Sequence, residues 1–405
     1  MDTPRFTRLR FDDEVLATLP FPRRALRIVR GLGSGLTRAA DGRLFAVGDR
    51  GPNLKVELAV ESYGMDGVAQ AKGSAKIMPA LDVGPAVAEL RLADDAVEVV
   101  QAILLTGEDG RPLSGLPTPG SANSRTEPAL RPDGSPHTPD PGGIDSEGIA
   151  IAPDGSFWIG EEYGPSLLRV GPDGKVLSRW VPKGSETSFS GAPYPIDAVL
   201  PPIAAARQVN RGFEAIALSA DGARLHLVFQ SPLAHPDEQA HAAAQHVRLW
   251  TIDTATGVLL AQYLYPLDDP ASFRRDVAKG DLQRSDIKVS ELLCVGAELL
   301  LLLERGSETT KLYVANLDPS CALVDDHSSL ETRPSVEELS AAGTLDLPVL
   351  RKQLLLSTDD HPEVSADLEG MVMLDRRTLL LVNDNDFGIE DVGTAFWRVD
   401  LPEPL

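Results

Sequence analysis

The sequence predicts an all-β protein, folded as a single β-propeller of six blades. Five segments repeat one plan, in which a small or acidic residue precedes an apolar run, a turn and a second apolar run. Three of the turns carry Asp-Gly pairs, and such turns between apolar runs are typical of antiparallel hairpins. The steps from Glu147 to Glu214, Glu291 and Glu369 are 67, 77 and 78 residues, enough each time for the four strands of a blade.

The clearest repeat covers residues 145–164 around the turn Pro153-Asp154-Gly155. The same plan recurs in residues 33–51, 212–231, 290–306 and 367–385. Apolar runs with the spacing of long helices are absent from these segments. Hairpins therefore organise the chain, and short helices are expected only at residues 235–245 and 335–342.

The sixth blade is expected between Gly35 and Glu147, where the strand-like stretches 88–92 and 97–102 mark it weakly. After Glu369 only three strand candidates remain, so a strand from residues 6–18 is expected to complete the last blade and close the ring. Closure removes the exposed edges that an open sheet presents. Residues 1–405 are thus interpreted as one domain, with a long loop insertion at about residues 107–143, and loops of this length are usually functional or disordered.

The composition narrows the range of partners. The formal net charge of -22 repels nucleic acid and anionic lipid surfaces, so neither is expected as a partner. No apolar run approaches the roughly 20 residues that span a bilayer, and the N-terminus lacks the apolar core of a signal peptide. The two cysteines, Cys294 and Cys321, form either one bridge or two inert thiols. We expect a monomer that acts on a small molecule.

Hairpin geometry brings acidic residues together. Glu147 and Glu161 both lie seven residues from Asp154, so they are expected to face each other across the hairpin. The same construction pairs Gly35 with Asp49, Glu214 with Gln230, Glu291 with Glu304, and Glu369 with Asp384. If these hairpins are the inner strands of their blades, the acidic residues form a ring at one end of the channel.

Such a ring needs positive charge, because neighbouring carboxylates repel one another. Ligands that are all oxygen favour calcium (Ca2+) or magnesium, and calcium tolerates an irregular arrangement better. The predicted metal ligands are Asp49, Glu147, Glu161, Glu214, Glu291, Glu304, Glu369 and Asp384. The alternative is that each carboxylate is paired structurally with a nearby Arg50, Arg211, Lys288 or Arg305.

The same basic residues have a possible second use. Arg50, Arg211 and Arg305 would hold an anionic group of the substrate, while Glu147 and Glu161 would take part in catalysis. No Gly-x-Ser-x-Gly elbow, phosphate-binding loop or dinucleotide fingerprint supports another chemistry.

Four motifs resemble one known family. They lie at residues 48–53 (GDRGPN), 143–150 (GIDSEGIA), 157–165 (FWIGEEYGP) and 383–388 (NDNDFG). Together they are similar to the phytase-like family described as having esterase-like activity, and the likeness extends from about Ile28 to Val399. The resemblance implies a propeller related to the calcium-dependent phytases, in which calcium ions hold phosphate and activate water. It also implies export to the periplasm or outside the cell, with a leader removed.

These observations predict a calcium-dependent hydrolase of phosphate or carboxylic esters, acting at the mouth of the propeller channel. Two alternatives remain open. One is a propeller lactonase with a single divalent ion. The other is a binding module without catalysis, stiffened by calcium and using the loop at residues 107–143 to hold its ligand.

Overall fold

The computed structural model describes residues 3–71, 73–120, 126–280 and 282–405. Strands dominate these residues, which confirms the predicted all-β class. In chain order the strands are β1 (Arg5–Arg8), β2 (Val15–Leu19), β3 (Leu26–Val29), β4 (Gly35–Arg38), β5 (Leu44–Val47), β6 (Leu54–Lys55), β7 (Lys76–Ile77), β8 (Ala86–Leu92), β9 (Val97–Leu104), β10 (Ala129–Leu130), β11 (Ser146–Ile151), β12 (Phe157–Glu161), β13 (Ser166–Val170), β14 (Val176–Pro182), β15 (Ile196–Leu200), β16 (Phe213–Leu218), β17 (Arg224–Phe229), β18 (His246–Asp253), β19 (Leu259–Pro266), β20 (Lys288–Cys294), β21 (Leu299–Arg305), β22 (Thr310–Asn316), β23 (Lys352–Ser357), β24 (Leu368–Asp375), β25 (Thr378–Asn383) and β26 (Phe396–Asp400).

The helices of the described residues are short: α1 (Val56–Tyr63), α2 (Glu238–Ala243), α3 (Arg274–Lys279) and α4 (Val336–Ala341). Helix α4 begins as the sequence predicts. The hydroxyl of Ser335 accepts a hydrogen bond from the Glu338 amide at 3.1 Å, and the Glu338 carboxylate accepts one from the Ser335 amide at 2.7 Å. This reciprocal pair satisfies two amides that a helix start otherwise leaves unpaired. Neither α4 nor any other helix of the described chain has the length and apolar character to cross a membrane.

Five sheets give the molecule its shape. Their strand orders are β4-β5-β8-β9, β11-β12-β13-β14-β15, β16-β17-β18-β19, β20-β21-β22-β23 and β24-β25-β26-β1. The first strands β4, β11, β16, β20 and β24 pack against one another in that order, and β24 also packs against β4. The five strands therefore surround a central channel, which is the arrangement of a β-propeller.

The prediction of six blades is not confirmed. The stretches expected to form a further blade are β8 and β9, which pair with β5 and with each other as the third and fourth strands of the first sheet. The segment between β5 and β8 instead contains α1 and the strands β6 and β7, which form a small sheet with β10 from later in the chain. At the other end of the chain, β1 pairs antiparallel with β26, the last strand.

Apolar side chains fill the spaces between adjacent sheets. Between the second and third sheets, Trp158, Phe213, Phe229 and Trp250 are all at most 2% exposed. The ring of Phe229 lies 4.9 Å from that of Phe213 and 5.0 Å from that of Trp250. Burying one such side chain contributes about 1.5–3 kcal/mol. This packing holds the inner strands in fixed positions around the channel.

Cys294 and Cys321 are both free and half-buried, so no disulfide joins them. Burial raises the pKa of the Cys294 thiol to about 12, which keeps it protonated and unreactive. Of the two readings that the sequence left open, the structure supports inert thiols.

Candidate metal centre

Bulges in the inner strands position the acidic residues. The pairing of β11 with β12 steps from Ser146–Glu161 to Ile149–Ile159, so Glu147 lies in a β-bulge. Glu214 occupies the extra position in β16, and Glu369 occupies it in β24. A bulge bends the strand locally and redirects its side chain. At these three positions the acidic side chains meet at the channel.

Three groups of carboxylates result, and within each group one oxygen from every residue lies within 4.8 Å of the others. The groups are Glu147, Glu214 and Glu369; Asp145, Glu147 and Glu162; and Asp49, Asp384 and Asp386. Glu147 is shared between the first two. All of these residues are buried except Asp386. They lie where the inner strands begin and where the second strands of the sheets end.

The environment disfavours negative charge on these groups. Loss of hydration on burial, together with the field of neighbouring carboxylates, raises the pKa of Asp145 and Glu147 well above the usual range, although Arg50 opposes the rise at Asp145. The same causes raise the pKa of Glu162 to about 7, and burial with the field of Asp386 raises that of Asp384 to about 8. A bound cation would remove this penalty.

Buried oxygens without partners mark the same place. Oε1 of Glu162 and Oε2 of Glu214 accept no hydrogen bond from the described residues, although both residues are at most 2% exposed. Leaving one buried acceptor unsatisfied costs about 1–3 kcal/mol. Closely spaced, unsatisfied carboxylate oxygens are the ligands that calcium and magnesium prefer. The residues present therefore fit a divalent cation.

Arg50 is the basic residue among these carboxylates. Its Nη1 lies 2.7 Å from Oε2 of Glu127 and 3.2 Å from Oδ2 of Asp145, and its Nη2 donates to Oδ1 of Asn210 at 2.8 Å. The side chain is 5% exposed. Arg50 was expected to hold a substrate anion, but its guanidinium is already bound to protein oxygens. Glu127 belongs to the long segment at residues 107–143, so this contact ties the part of the segment around Glu127 to Arg50.

Arg305 is bound in a similar way. Its guanidinium pairs with Glu369 and Asp367, lies 3.8 Å from Glu214 and donates from Nε to the Ser290 hydroxyl at 2.9 Å. The side chain is 3% exposed. It is therefore a counter-charge for the carboxylates, and the structure does not leave it open to a substrate.

Arg211 and Lys288 are the basic residues that remain accessible. Both are half-buried and line a cleft of about 400 Å³ beside the channel, together with Lys279, Asp276 and Glu308. Arg211 donates to the carbonyl of Asn210 at 2.9 Å, and Lys288 has no carboxylate within ion-pair distance in the described part of the chain. Burial and the neighbouring guanidiniums of Arg305 and Arg211 lower the pKa of Lys288 to about 8. An anion in this cleft would relieve that repulsion.

Glu161 does not join the carboxylate groups. Its oxygens accept hydrogen bonds from the amides of Asp145, Tyr163 and Gly164 at 3.0–3.1 Å and from the Ser166 hydroxyl at 3.0 Å. Its Oε2 also lies 2.7 Å from Nη2 of the buried Arg179. Because the bulge pairs Glu161 with Ser146 instead of Glu147, the predicted contact between the two glutamates is wrong. Glu161 holds the turn after β12 in place.

Glu291 and Glu304 are also placed elsewhere. The bulge in β20 falls at Ser290, one residue before Glu291, and Glu291 pairs with Leu303. Its carboxylate accepts amide hydrogen bonds from Leu36, Leu292 and Met371 at 3.0–3.2 Å.

Glu304 faces away from the channel. It accepts from Nζ of Lys352 at 2.6 Å, from the Tyr265 hydroxyl at 3.1 Å and from the Asp268 amide at 2.8 Å. These bonds hold the third sheet against the fourth.

Three residues of the carboxylate groups were missed from the sequence: Asp145, Glu162 and Asp386. Each lies one or two residues from a predicted ligand. The signal was present in the paired acidic residues of Asp145-Ser146-Glu147, Glu161-Glu162 and Asp384-Asn385-Asp386. Hairpin counting selected one member of each pair. Both members of the first and third pairs belong to the groups, whereas in Glu161-Glu162 only Glu162 does.

The fold and this acidic channel define a β-propeller protein with oxygen-rich sites suited to hard cations. The chain belongs to the phytase-like family described as "Esterase-like activity of phytase", which it matches over residues 27–387. This match confirms the resemblance seen in the sequence motifs.

A curated relative is an uncharacterized secreted protein of Arthroderma benhamiae, 30% identical over 218 residues. The match covers 48% of this chain and 40% of that protein, so the chain spans less than half the length of the relative.

Similar solved structures include the PQQ-bound aldose sugar dehydrogenase of Streptomyces coelicolor, with 12% identity, a TM-score of 0.36 and 98% of both chains covered. A gluconolactonase of Xanthomonas campestris has 11% identity, a TM-score of 0.35 and the same coverage.

Proposed function

We propose that this protein is a calcium-dependent hydrolase of phosphate or carboxylic esters that acts at the acidic end of the channel. The supporting observation is that Glu147, Glu162, Asp384 and Asp386 lie in two close carboxylate groups and have no basic side chain within 4.0 Å in the described chain. Oε1 of Glu162 also accepts no hydrogen bond from the described residues. Buried carboxylates without a counter-charge are costly, and a bound cation would supply that charge. Membership of the phytase-like family is consistent with this activity.

Two carboxylate groups would hold the metal. They are Asp145, Glu147 and Glu162, and Asp49, Asp384 and Asp386. Calcium is favoured over magnesium because the ligands come from several sheets and irregular turns, and magnesium requires a near-ideal octahedron. A cation bound there supplies polarisation of the ester and activation of water.

The chain's own residues supply binding and orientation. Arg211 and Lys288 would bind the anionic group of the substrate from the cleft beside the channel. A cleft of about 400 Å³ suits a small molecule. The ion pair of Glu127 with Arg50 at 2.7 Å, in which both side chains are 5% exposed, would hold Arg50 in place beside the carboxylates. A carboxylate of the ring would accept the proton released during attack.

Hydrolysis of p-nitrophenyl phosphate and p-nitrophenyl acetate by metal-stripped protein tests the proposal. Activity is expected to be lost with EDTA and restored by calcium. Glu162→Gln should lower the restored rate at least tenfold, whereas Glu298→Gln, at an exposed turn on the far end of the β20–β21 hairpin, should leave it unchanged. Equal rates with EDTA and with calcium would contradict the proposal.

A further inference from the structure

The three carboxylate groups differ in how their charge is balanced. In the group Asp145, Glu147 and Glu162, Arg50 reaches only Asp145. In the group Asp49, Asp384 and Asp386, Arg50 reaches only Asp49, at 3.8 Å. In the described chain the other four carboxylates of these two groups have no basic side chain within 4.0 Å. Most of their negative charge therefore lacks a resident partner.

The group Glu147, Glu214 and Glu369 is different, because Arg305 lies among its members. One nitrogen of the guanidinium, Nη2, pairs with Glu369 and lies 3.8 Å from Glu214. Nη1 pairs with Asp367, and Nε is fixed by the Ser290 hydroxyl. A guanidinium cannot lose its proton in a protein, so this positive charge is permanent.

The hairpin register shows that Arg305 occupies a position that carries acid in other sheets. Glu161 pairs with Ser146 and is followed by Glu162, and Asn383 pairs with Leu368 and is followed by Asp384. In the fourth sheet Glu304 pairs with Val289 and is followed by Arg305. The residue after this paired position is thus Glu162 or Asp384 in the two groups with little positive charge. In the third group it is Arg305.

We infer that Arg305 takes the place of a metal ion at Glu147, Glu214 and Glu369, so that this group binds no calcium in the native protein. This inference rests on the proposed function for the presence of metal in the other two groups. Calcium could enter the third group only by displacing a buried guanidinium from its carboxylates, and breaking such a pair leaves an uncompensated buried charge. Arg305 is therefore a positioning residue that also fixes how many ions the channel holds.

Counting bound calcium tests the inference directly. Metal-stripped protein is dialysed against calcium, and the ions per folded chain are measured by elemental analysis. Glu369→Gln should retain the wild-type count, whereas Glu162→Gln, in the group where Arg50 contacts only Asp145, should lose one ion. If Glu369→Gln loses an ion, the third group binds metal in the native protein and the inference is wrong.

Removing the guanidinium gives the complementary result. Arg305→Gln should bind one ion more than the wild type, and calcium should raise its melting temperature further. The matched control is Arg248→Gln, which removes another buried arginine, paired with Glu337 at 2.7 Å outside the carboxylate groups, and should keep the wild-type count. A folded Arg305→Gln protein with an unchanged count would overturn the inference, as would an equal gain in Arg248→Gln.

These outcomes separate the two proposals. A wild-type protein that binds no calcium would remove the proposed function, while the difference between Arg305→Gln and wild type would still decide the role of Arg305. Turnover of an ester is not needed for either count. If Arg305→Gln fails to fold, the comparison of Glu369→Gln with Glu162→Gln decides the question alone.

Discussion

Glu147 and Glu162 bring carboxylate oxygens within 4.8 Å of each other at the mouth of the channel, and Oε1 of Glu162 accepts no hydrogen bond from any described residue. Glu147 reaches this position from a bulge in β11, and Glu162 follows directly after β12. Two buried glutamates at this separation cannot both ionise cheaply without a cation. This pair therefore links the propeller's hairpin geometry to metal binding.

Calcium is expected to stabilise the folded protein. A ligand that binds only the native state adds about 3 kcal/mol at a hundredfold excess over its Kd. The melting temperature of metal-stripped protein should rise on addition of calcium, and Glu162→Gln should reduce this rise by at least half. Differential scanning calorimetry with and without calcium checks it. An undiminished rise in the variant would exclude Glu162 as a ligand.

Glu161, the neighbour of Glu162, should behave in the opposite way. Its carboxylate accepts four hydrogen bonds and pairs with Arg179, which is fully buried. Glu161→Gln should destabilise the protein by about 3–5 kcal/mol, because it leaves the charge of Arg179 uncompensated. The calcium-dependent rise in melting temperature should remain. Urea unfolding measures the loss of stability. A Glu161→Gln protein that is as stable as the wild type and no longer responds to calcium would show that Glu161 acts at the metal.

The stability of metal-free protein should depend on pH. Carboxyl groups have a pKa near 4 in the unfolded chain, whereas the pKa of Glu162 is about 7 and that of Asp384 about 8 in the fold. Between pH 6.5 and 8 the unfolded state binds fewer protons, so the free energy of unfolding should fall as the pH rises. The loss from Glu162 alone is on the order of 3 kcal/mol over its full titration.

Calcium should remove this slope, because it replaces the protons on the native carboxylates and the folded and unfolded states then bind equal numbers of protons over this range. Urea titrations at pH 6.5, 7.2 and 8, with EDTA or with calcium, provide the comparison. The variant Asp384→Asn should flatten the slope in EDTA. A free energy of unfolding that rises over this range without metal would contradict the electrostatic account.

Close packing of the inner strands should make Gly148 sensitive to substitution. A Cβ at Gly148 would lie 2.0 Å from the carbonyl oxygen of Glu214 on the adjacent inner strand. Gly148→Ala should cost several kcal/mol and weaken calcium binding, because the strands that carry Glu147 and Glu214 must separate. Gly280→Ala meets no atom within 4 Å and is the control, with a change below about 1 kcal/mol in urea unfolding. Equal stability of both variants would contradict the packing.

The hairpins were predictable from the sequence because apolar runs and Asp-Gly turns are local signals. Residues 145–164 indeed form β11 and β12 around Asp154. The blade count was not predictable in the same way. The stretches at 88–92 and 97–102 read as strands, but only tertiary pairing joins β8 to β5 across the 38 residues between them.

The site was predictable as a region and not residue by residue. Counting from a turn assumes one residue opposite another, and each bulge changes the facing side chain by one position. Because of the bulge in β11, Glu162 and not Glu161 joins a carboxylate group. In β20 the bulge falls at Ser290, one residue before Glu291, and Glu291 joins none of the groups. A single sequence gives no local signal that fixes where a bulge falls.

Anomalous difference density from a crystal soaked in calcium tests the central claim most directly. The account predicts ions among Asp145, Glu147 and Glu162 and among Asp49, Asp384 and Asp386, with only Arg305 at Glu214 and Glu369. Saturating calcium that leaves no peak at either group, in a protein that otherwise keeps this fold, would contradict it.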